Sequence, residues 1–229
     1  MDSEAPLLPL APASPALESA PSWGWWRFWH TGGFLTGGVT FLFGTWVLDP
    51  FSNDSYDQEN TLAILSSSLY TLGSLGFLLV DVLEFFTFTR EIWLRVNICI
   101  SMAGSFFYVL GSLGFAPPIT AAAPALGALG FLVGSALIAA SQAWKVARLC
   151  GAPRQPPPHP REDAPLALGV ETGAGLGALF FLVGTALFMQ GWTTGGQLTA
   201  VLWIWAAGSA FFSAGGVCLW WRHYKLGLA

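Results

Sequence analysis

Residues 28–48 read FWHTGGFLTGGVTFLFGTWVL, an unbroken run without Asp, Glu, Lys or Arg. Arg27 precedes this run and Asp49 follows it. A helix that crosses a lipid bilayer needs about 20 consecutive, mostly apolar residues. The run is therefore predicted to be a transmembrane helix.

Five further apolar runs, uncharged except for Glu171, predict five more spans. They cover approximately residues 61–80, 96–116, 121–144, 168–190 and 198–221. Of the 229 residues, 54% are hydrophobic and 10% are charged, whereas soluble domains carry about 25% charged residues. The sequence thus predicts an all-α integral membrane protein with six transmembrane helices and leaves no room for a separate soluble domain.

The basic residues predict the orientation of these spans. Lys and Arg accumulate in cytoplasmic segments because they resist translocation. With six spans, all nine fall on one side of the membrane, and five or seven spans would destroy this partition. Both termini are therefore predicted to be cytosolic. The nine residues are Arg27, Arg90, Arg95, Lys145, Arg148, Arg154, Arg161, Arg222 and Lys225.

Proline-rich segments suggest where the chain divides. Residues 1–22 hold five prolines, three acidic residues and no basic residue, which is typical of a disordered tail. Residues 151–165 hold six prolines and predict a cytosolic linker. The remaining chain is divided into a first hairpin at 23–92, a second at 93–150, and a third at 166–229 that includes a short cytosolic C-terminus.

Glycines recur at matching positions in these hairpins. In each odd-numbered span a Gly is followed seven residues later by Gly-Ser or Gly-Thr, and each even-numbered span carries Gly-Ser near its middle. Small residues let membrane helices approach closely. The pattern predicts three tandem hairpins that form an internal repeat. The predicted helix-packing residues are Gly37, Gly44, Gly73, Gly104, Gly111, Gly134, Gly177, Gly184 and Gly208.

The hairpin motif resembles the YrhK-like membrane domain, a short hairpin whose two helices each carry a Phe/Leu-rich Gly-Ser element. The best match runs from Arg95-Val-Asn97 through MAGSFF at 102–107 to GFLVGS at 130–135. The first and third hairpins look like weaker copies, the third ending in WIWAAGSAFF at 203–212. This resemblance implies a membrane location and no assigned activity.

Four polar residues inside or near the predicted spans are candidate binding residues: Asp81, Asn97, Gln142 and Glu171. Ionisable groups within a membrane are costly and often functional. One interpretation makes these four, together with Glu84, the mouth of a cytosol-facing vestibule. The favoured interpretation is that their side chains reach the interface from helix ends.

The sequence does not predict an enzyme. No His and Asp lie at a depth that matches a serine nucleophile, and the three histidines lack metal-ligand spacing, so no catalytic residue, metal or cofactor is predicted. The net charge of −4 excludes nucleic-acid binding. The favoured function is a non-catalytic scaffold or assembly subunit, with a small-solute transporter or channel as the alternative. Expected partners are membrane lipids and either a membrane protein or a second copy of the chain.

Overall fold

The computed structural model describes residues 24–48, 56–88, 91–151 and 163–225. Regular secondary structure in these ranges is entirely helical. The predicted tail at 1–22 and residues 152–162 of the predicted linker lie outside the described residues. The helices are α1 (Gly24–Val47), α2 (Tyr56–Thr87), α3 (Ile92–Gly114), α4 (Pro117–Ala122), α5 (Leu126–Gly151), α6 (Asp163–Met189) and α7 (Gly195–Tyr224).

The fourth predicted span begins later than expected. Residues 121 and 122 belong to the separate short helix α4, and the long helix α5 begins at Leu126. Ala123 leaves the helical conformation with φ −143° and ψ 73°. Pro124 explains the break, because proline disfavours the α conformation in the residue before it.

Five helices are long and apolar enough to cross a membrane, namely Thr61–Thr87 within α2, α3, α5, Ala164–Met189 within α6, and α7. These helices identify an all-helical protein compatible with a multi-pass membrane location. The helix α1 is not among the five, because its glycines, threonines and tryptophans lower its mean hydropathy.

The six long helices form a closed ring. Each one packs against the next along the chain, and α7 packs against α1. Neighbouring helices run antiparallel: in α1 and α2, for example, Gly33 lies against Gly76 while Gly44 lies against Ser66. The ring therefore has two ends. We call the end where α1, α3 and α6 begin the polar end, and the opposite end the apolar end.

The predicted packing glycines all lie against the neighbouring helix of their own pair. In each pair, a Cβ added to the Gly of the later helix would lie 2.8 to 2.9 Å from a glycine carbonyl oxygen of the earlier one. Backbones this close leave no space for a side chain. The three matching contacts are Gly73 with Gly37, Gly134 with Gly104, and Gly208 with Gly177.

Aromatic side chains fill the axis of the ring around Phe41 of α1. Phe41 is fully buried and lies 5.0 to 6.1 Å, between ring centroids, from at least one aromatic ring of each of the other five long helices. All six pairs meet edge-to-face or tilted, which suits the charge distribution of aromatic rings. Its partners are Tyr70, Phe77, Tyr108, Phe131, Phe181 and Phe212.

Candidate functional site

Polar side chains converge inside the ring at its polar end. They lie within the first three turns of α1 and α6 and within the last two turns of α2, α5 and α7. These segments meet because neighbouring helices are antiparallel. The residues are His30, Glu84, Lys145, Glu171 and His223, and we call them the polar cluster.

Lys145 is the centre of the polar cluster. Its Nζ atom lies 3.2 Å from Glu84 Oε2 and 3.6 Å from Glu171 Oε2. The three side chains are only 12%, 16% and 21% exposed, respectively. A charge removed from water requires a close partner of opposite sign. One ammonium group therefore joins α5 to both α2 and α6.

The two histidines extend the cluster to α1 and α7. His30 Nε2 lies 3.2 Å from Glu84 Oε1, and His30 Nδ1 lies 3.1 Å from His223 Nε2. Trp26 stacks on His30 at 4.4 Å between ring centroids, and its indole nitrogen donates a 3.0 Å hydrogen bond to Thr87 Oγ1. This packing fixes the orientation of the His30 ring.

The His30–His223 hydrogen bond is compatible with two protonation states. A neutral imidazole has one N–H donor and one acceptor nitrogen. Because a carboxylate only accepts, His30 Nε2 is assigned as the donor to Glu84. His30 Nδ1 then accepts from His223 when His30 is neutral, or donates to His223 when His30 carries a second proton. The contact is preserved in either assignment.

Of the four predicted binding residues, Glu171 belongs to the polar cluster and Asp81 lies beside it. Asp81 is one helical turn before Glu84 in α2, is 6% exposed, and accepts a 2.5 Å hydrogen bond from Ser105 Oγ of α3. This bond adds α3 to the helices tied together at the polar end. Asp81 thus points into the bundle and not toward the interface.

Asn97 and Gln142 are also buried, at 4% and 6% exposure. Asn97 Nδ2 and Gln142 Oε1 have no hydrogen-bond partner among the described residues. The two residues lie on helices that touch, since Ser141 Oγ donates a 3.3 Å hydrogen bond to the Asn97 carbonyl oxygen. Among the described residues, neither side chain makes a hydrogen bond to a member of the polar cluster.

Sequence reasoning missed His30, Lys145 and His223 as members of a common site. Each sits at the edge of an apolar run, where a polar residue is ordinarily solvated. Their meeting depends on the order of helices in the ring, since His30 and His223 are 193 positions apart. The spacing of Asp81 and Glu84, three residues apart on one helix face, was the local signal available.

Comparisons with known proteins leave this site to be interpreted from its own residues. Scans against protein-family models, curated protein sequences and solved structures found no match to the chain. Within the described ranges, no group of three or more His, Cys, Asp or Glu side chains is arranged to hold a metal ion. What the geometry offers is a buried network of ion pairs and imidazoles that touches five helices.

Proposed function

We propose that the protein crosses the membrane six times, with both termini in the cytosol. As the additional span, α1 has 24 residues and a length of about 36 Å at 1.5 Å per residue, enough for a hydrocarbon core of about 30 Å. Every Lys and Arg within the described ranges lies at the polar end, which supports a cytosolic polar end. Compartment-sensitive reporters fused to the two ends test this topology, and reporters on opposite sides would contradict it.

The three helix pairs are, in this proposal, tandem repeats similar to the YrhK-like domain. The matching glycine contacts in the pairs α1–α2, α3–α5 and α6–α7 support this view. The aromatic axis supports it too. The residues four positions after Gly37, Gly104 and Gly177 are Phe41, Tyr108 and Phe181, and those three positions before Gly73, Gly134 and Gly208 are Tyr70, Phe131 and Trp205.

Within this architecture, the protein acts as a non-catalytic scaffold or assembly subunit. The observation that carries this proposal is the aromatic axis, in which Phe41 contacts rings from all five other long helices. A close-packed interior of this kind resists rearrangement, whereas a carrier must open alternately to each side. A rigid bundle suits a protein that presents its outer surface to a membrane-protein partner or a second copy, with lipids covering the remainder.

Photo-crosslinking in the native membrane tests the scaffold proposal. A photoreactive amino acid would be placed on the outer surface of each long helix in turn, with the buried Phe41 position as the matched control. A scaffold should give one discrete crosslinked protein from adjacent helices and none from Phe41. Uniform crosslinking to lipid alone would contradict the proposal. The outer positions are Phe43, Leu72, Phe106, Val133, Leu179 and Trp203.

A small-solute transporter is the second candidate, and the polar cluster favours it. Ionisable groups inside a membrane bundle commonly mark ion or proton pathways. Glu171 and Lys145 are paired within the ring rather than solvated at its rim. A network of ion pairs and imidazoles at one end of the bundle is an arrangement suited to coupled transport.

Reconstituted vesicles distinguish the two candidates. Proton and solute fluxes would be compared for the wild type, Glu171→Gln, and the control Glu91→Gln, whose carboxylate is 45% exposed and pairs with Arg148 outside the cluster. The scaffold proposal predicts no protein-dependent flux in any of the three. A flux lost in Glu171→Gln but retained in Glu91→Gln would favour the transporter.

A further inference from the structure

A cavity of about 250 Å³ lies on the ring axis at the apolar end, opposite the polar cluster. Its floor is part of the aromatic axis and is formed by Tyr70, Phe131, Phe181 and Trp205. Protein interiors are close-packed and contain few voids larger than a water molecule. A void of about 150 Å³ lined by apolar side chains already binds benzene in an engineered protein. The cavity therefore has room for a ligand.

The chemistry of the walls restricts that ligand. Among the residues that the structure describes, none of those lining the cavity is charged. The hydroxyl groups in the wall already donate within the protein, Ser66 to the Gly44 carbonyl oxygen at 2.8 Å and Ser67 to the Ile64 carbonyl oxygen at 3.0 Å. A charged ligand would lose its hydration here and meet only neutral polar groups, namely hydroxyl groups and the indole N–H of Trp205, which has no hydrogen-bond partner among the described residues. The cavity therefore favours an uncharged ligand.

Small side chains on α2 create this space. The positions ten, seven and six residues before Gly73 are Ala63, Ser66 and Ser67, and all three line the cavity. The same offsets before Gly208 in α7 give leucine, valine and leucine. The α2 residues at these positions are small, whereas the matching α7 residues are large. This difference in size leaves space for the cavity.

From these observations we propose that the cavity is a binding site for an uncharged, ring-containing hydrocarbon group between benzene and naphthalene in size. Phe and Trp rings on the floor and walls can meet such a ligand edge-to-face or stacked. The inference stands apart from the proposed function, because a rigid scaffold and a transporter could each hold such a ligand.

Naphthalene provides the test with the full chain in detergent. Bound ligand should raise the melting temperature saturably, by about 2–4 °C for each kcal/mol of binding energy. Naphthalene-2-sulfonate has the same rings with a negative charge and should produce no shift. Decane is the aliphatic comparison, and a shift with decane but not with naphthalene would overturn the assignment of a ring-containing ligand.

Two neighbouring substitutions separate cavity binding from partition into the detergent. Ser67→Leu introduces into the cavity the residue that α7 carries at the matching position, Leu202. Ser68→Leu adds the same side chain to the exposed surface of α2, and Ser68 makes the same kind of hydrogen bond to the Ile64 carbonyl. The naphthalene shift should vanish in Ser67→Leu and persist in Ser68→Leu.

Equal shifts in both variants, or no shift in the wild type, would overturn the proposal. Ser67→Leu without ligand should melt above the wild type, because it fills a void. If Ser67→Leu does not fold, Ala63→Leu replaces it, since it copies Leu198 on another part of the cavity wall. The same criteria then apply to Ala63→Leu.

Discussion

Replacing Gly111 by alanine should force α3 and α5 apart. A Cβ at this position would lie 2.7 Å from both the backbone nitrogen and the Cδ2 atom of Phe131, and 3.0 Å from the Gly127 carbonyl oxygen. Optimal separations between carbon atoms are about 3.5–4.0 Å. Two of the three atoms belong to the α5 backbone, so rotation of a side chain cannot relieve the overlap.

Two opposing effects determine how much the free energy of unfolding changes in Gly111→Ala. Adding a methyl group to a packed interior costs about 1–3 kcal/mol, and the backbone contacts place Gly111 at the upper end of that range. Alanine also improves helix propensity by about 1 kcal/mol over glycine. The net loss of unfolding free energy for Gly111→Ala should therefore be about 2 kcal/mol.

Gly32→Ala is the matched control, because a Cβ at Gly32 in α1 meets no atom within 4 Å. The gain in helix propensity is common to both variants and cancels in their comparison, which leaves a packing difference of about 3 kcal/mol. Gly44→Ala tests the intermediate case, since its nearest atoms lie at 3.4 Å, an ordinary contact distance. Without a packing penalty it keeps the gain in helix propensity, so Gly44→Ala should unfold close to Gly32→Ala.

Thermal unfolding in one detergent, followed by tryptophan fluorescence, measures these differences. A difference of about 3 kcal/mol corresponds to roughly 6–12 °C in a protein of this size. Gly32→Ala and Gly44→Ala should both melt above the wild type, and Gly111→Ala should melt below it. Equal melting temperatures for Gly111→Ala and Gly32→Ala would refute the close approach of α3 and α5.

Two further predictions concern contacts between helix pairs. Lys145→Met leaves the carboxylates of Glu84 and Glu171 without their shared cation, so the free energy of unfolding should fall by about 3 kcal/mol. Adding Glu84→Gln and Glu171→Gln should restore most of this loss. A melting temperature unchanged in Lys145→Met would exclude the buried ion pairs. The 2.9 Å hydrogen bond between Ser74 and Ser112 should give a coupling energy of about 0.6 kcal/mol in a double-mutant cycle to alanine, and zero coupling would show that the hydroxyl groups do not interact.

Local signals predicted the helices because hydropathy is a property of each segment alone. The helix boundary at Ala123 was not predicted because Pro124 lies within a long apolar run. The effect of Pro124 on the preceding residue is nevertheless local and can be predicted from the sequence. The glycine pattern was visible for a similar reason. Gly37 and Gly44 return to nearly the same helix face after seven residues, and that spacing needs no knowledge of the neighbouring helix.

The polar cluster required information that no single segment holds. Glu84 and Lys145 become partners only when α2 and α5 point toward one axis, and His223 reaches His30 only because α7 closes the ring against α1. The hydropathy of each span is the same whether six helices form a row or a ring. In a row, His30 and His223 would lie far apart at opposite edges.

The three helix pairs share aromatic residues midway along the ring axis. They differ in the residues toward each end, and this makes the two ends of the ring different. Positions four residues after Gly37, Gly104 and Gly177 are all aromatic, so the middle layer closes in nearly the same way around the axis. At the polar end, the pair α3–α5 places Lys145 in the interior. The pairs α1–α2 and α6–α7 each place one glutamate beside it, Glu84 and Glu171 respectively. Each carboxylate alone would be costly to bury, so the pairs are complementary and cannot replace one another. A cyclic permutation of the pairs would therefore preserve the neighbours in the ring, while three identical copies of any one pair would lose the ion pairs that Lys145 makes with Glu84 and Glu171.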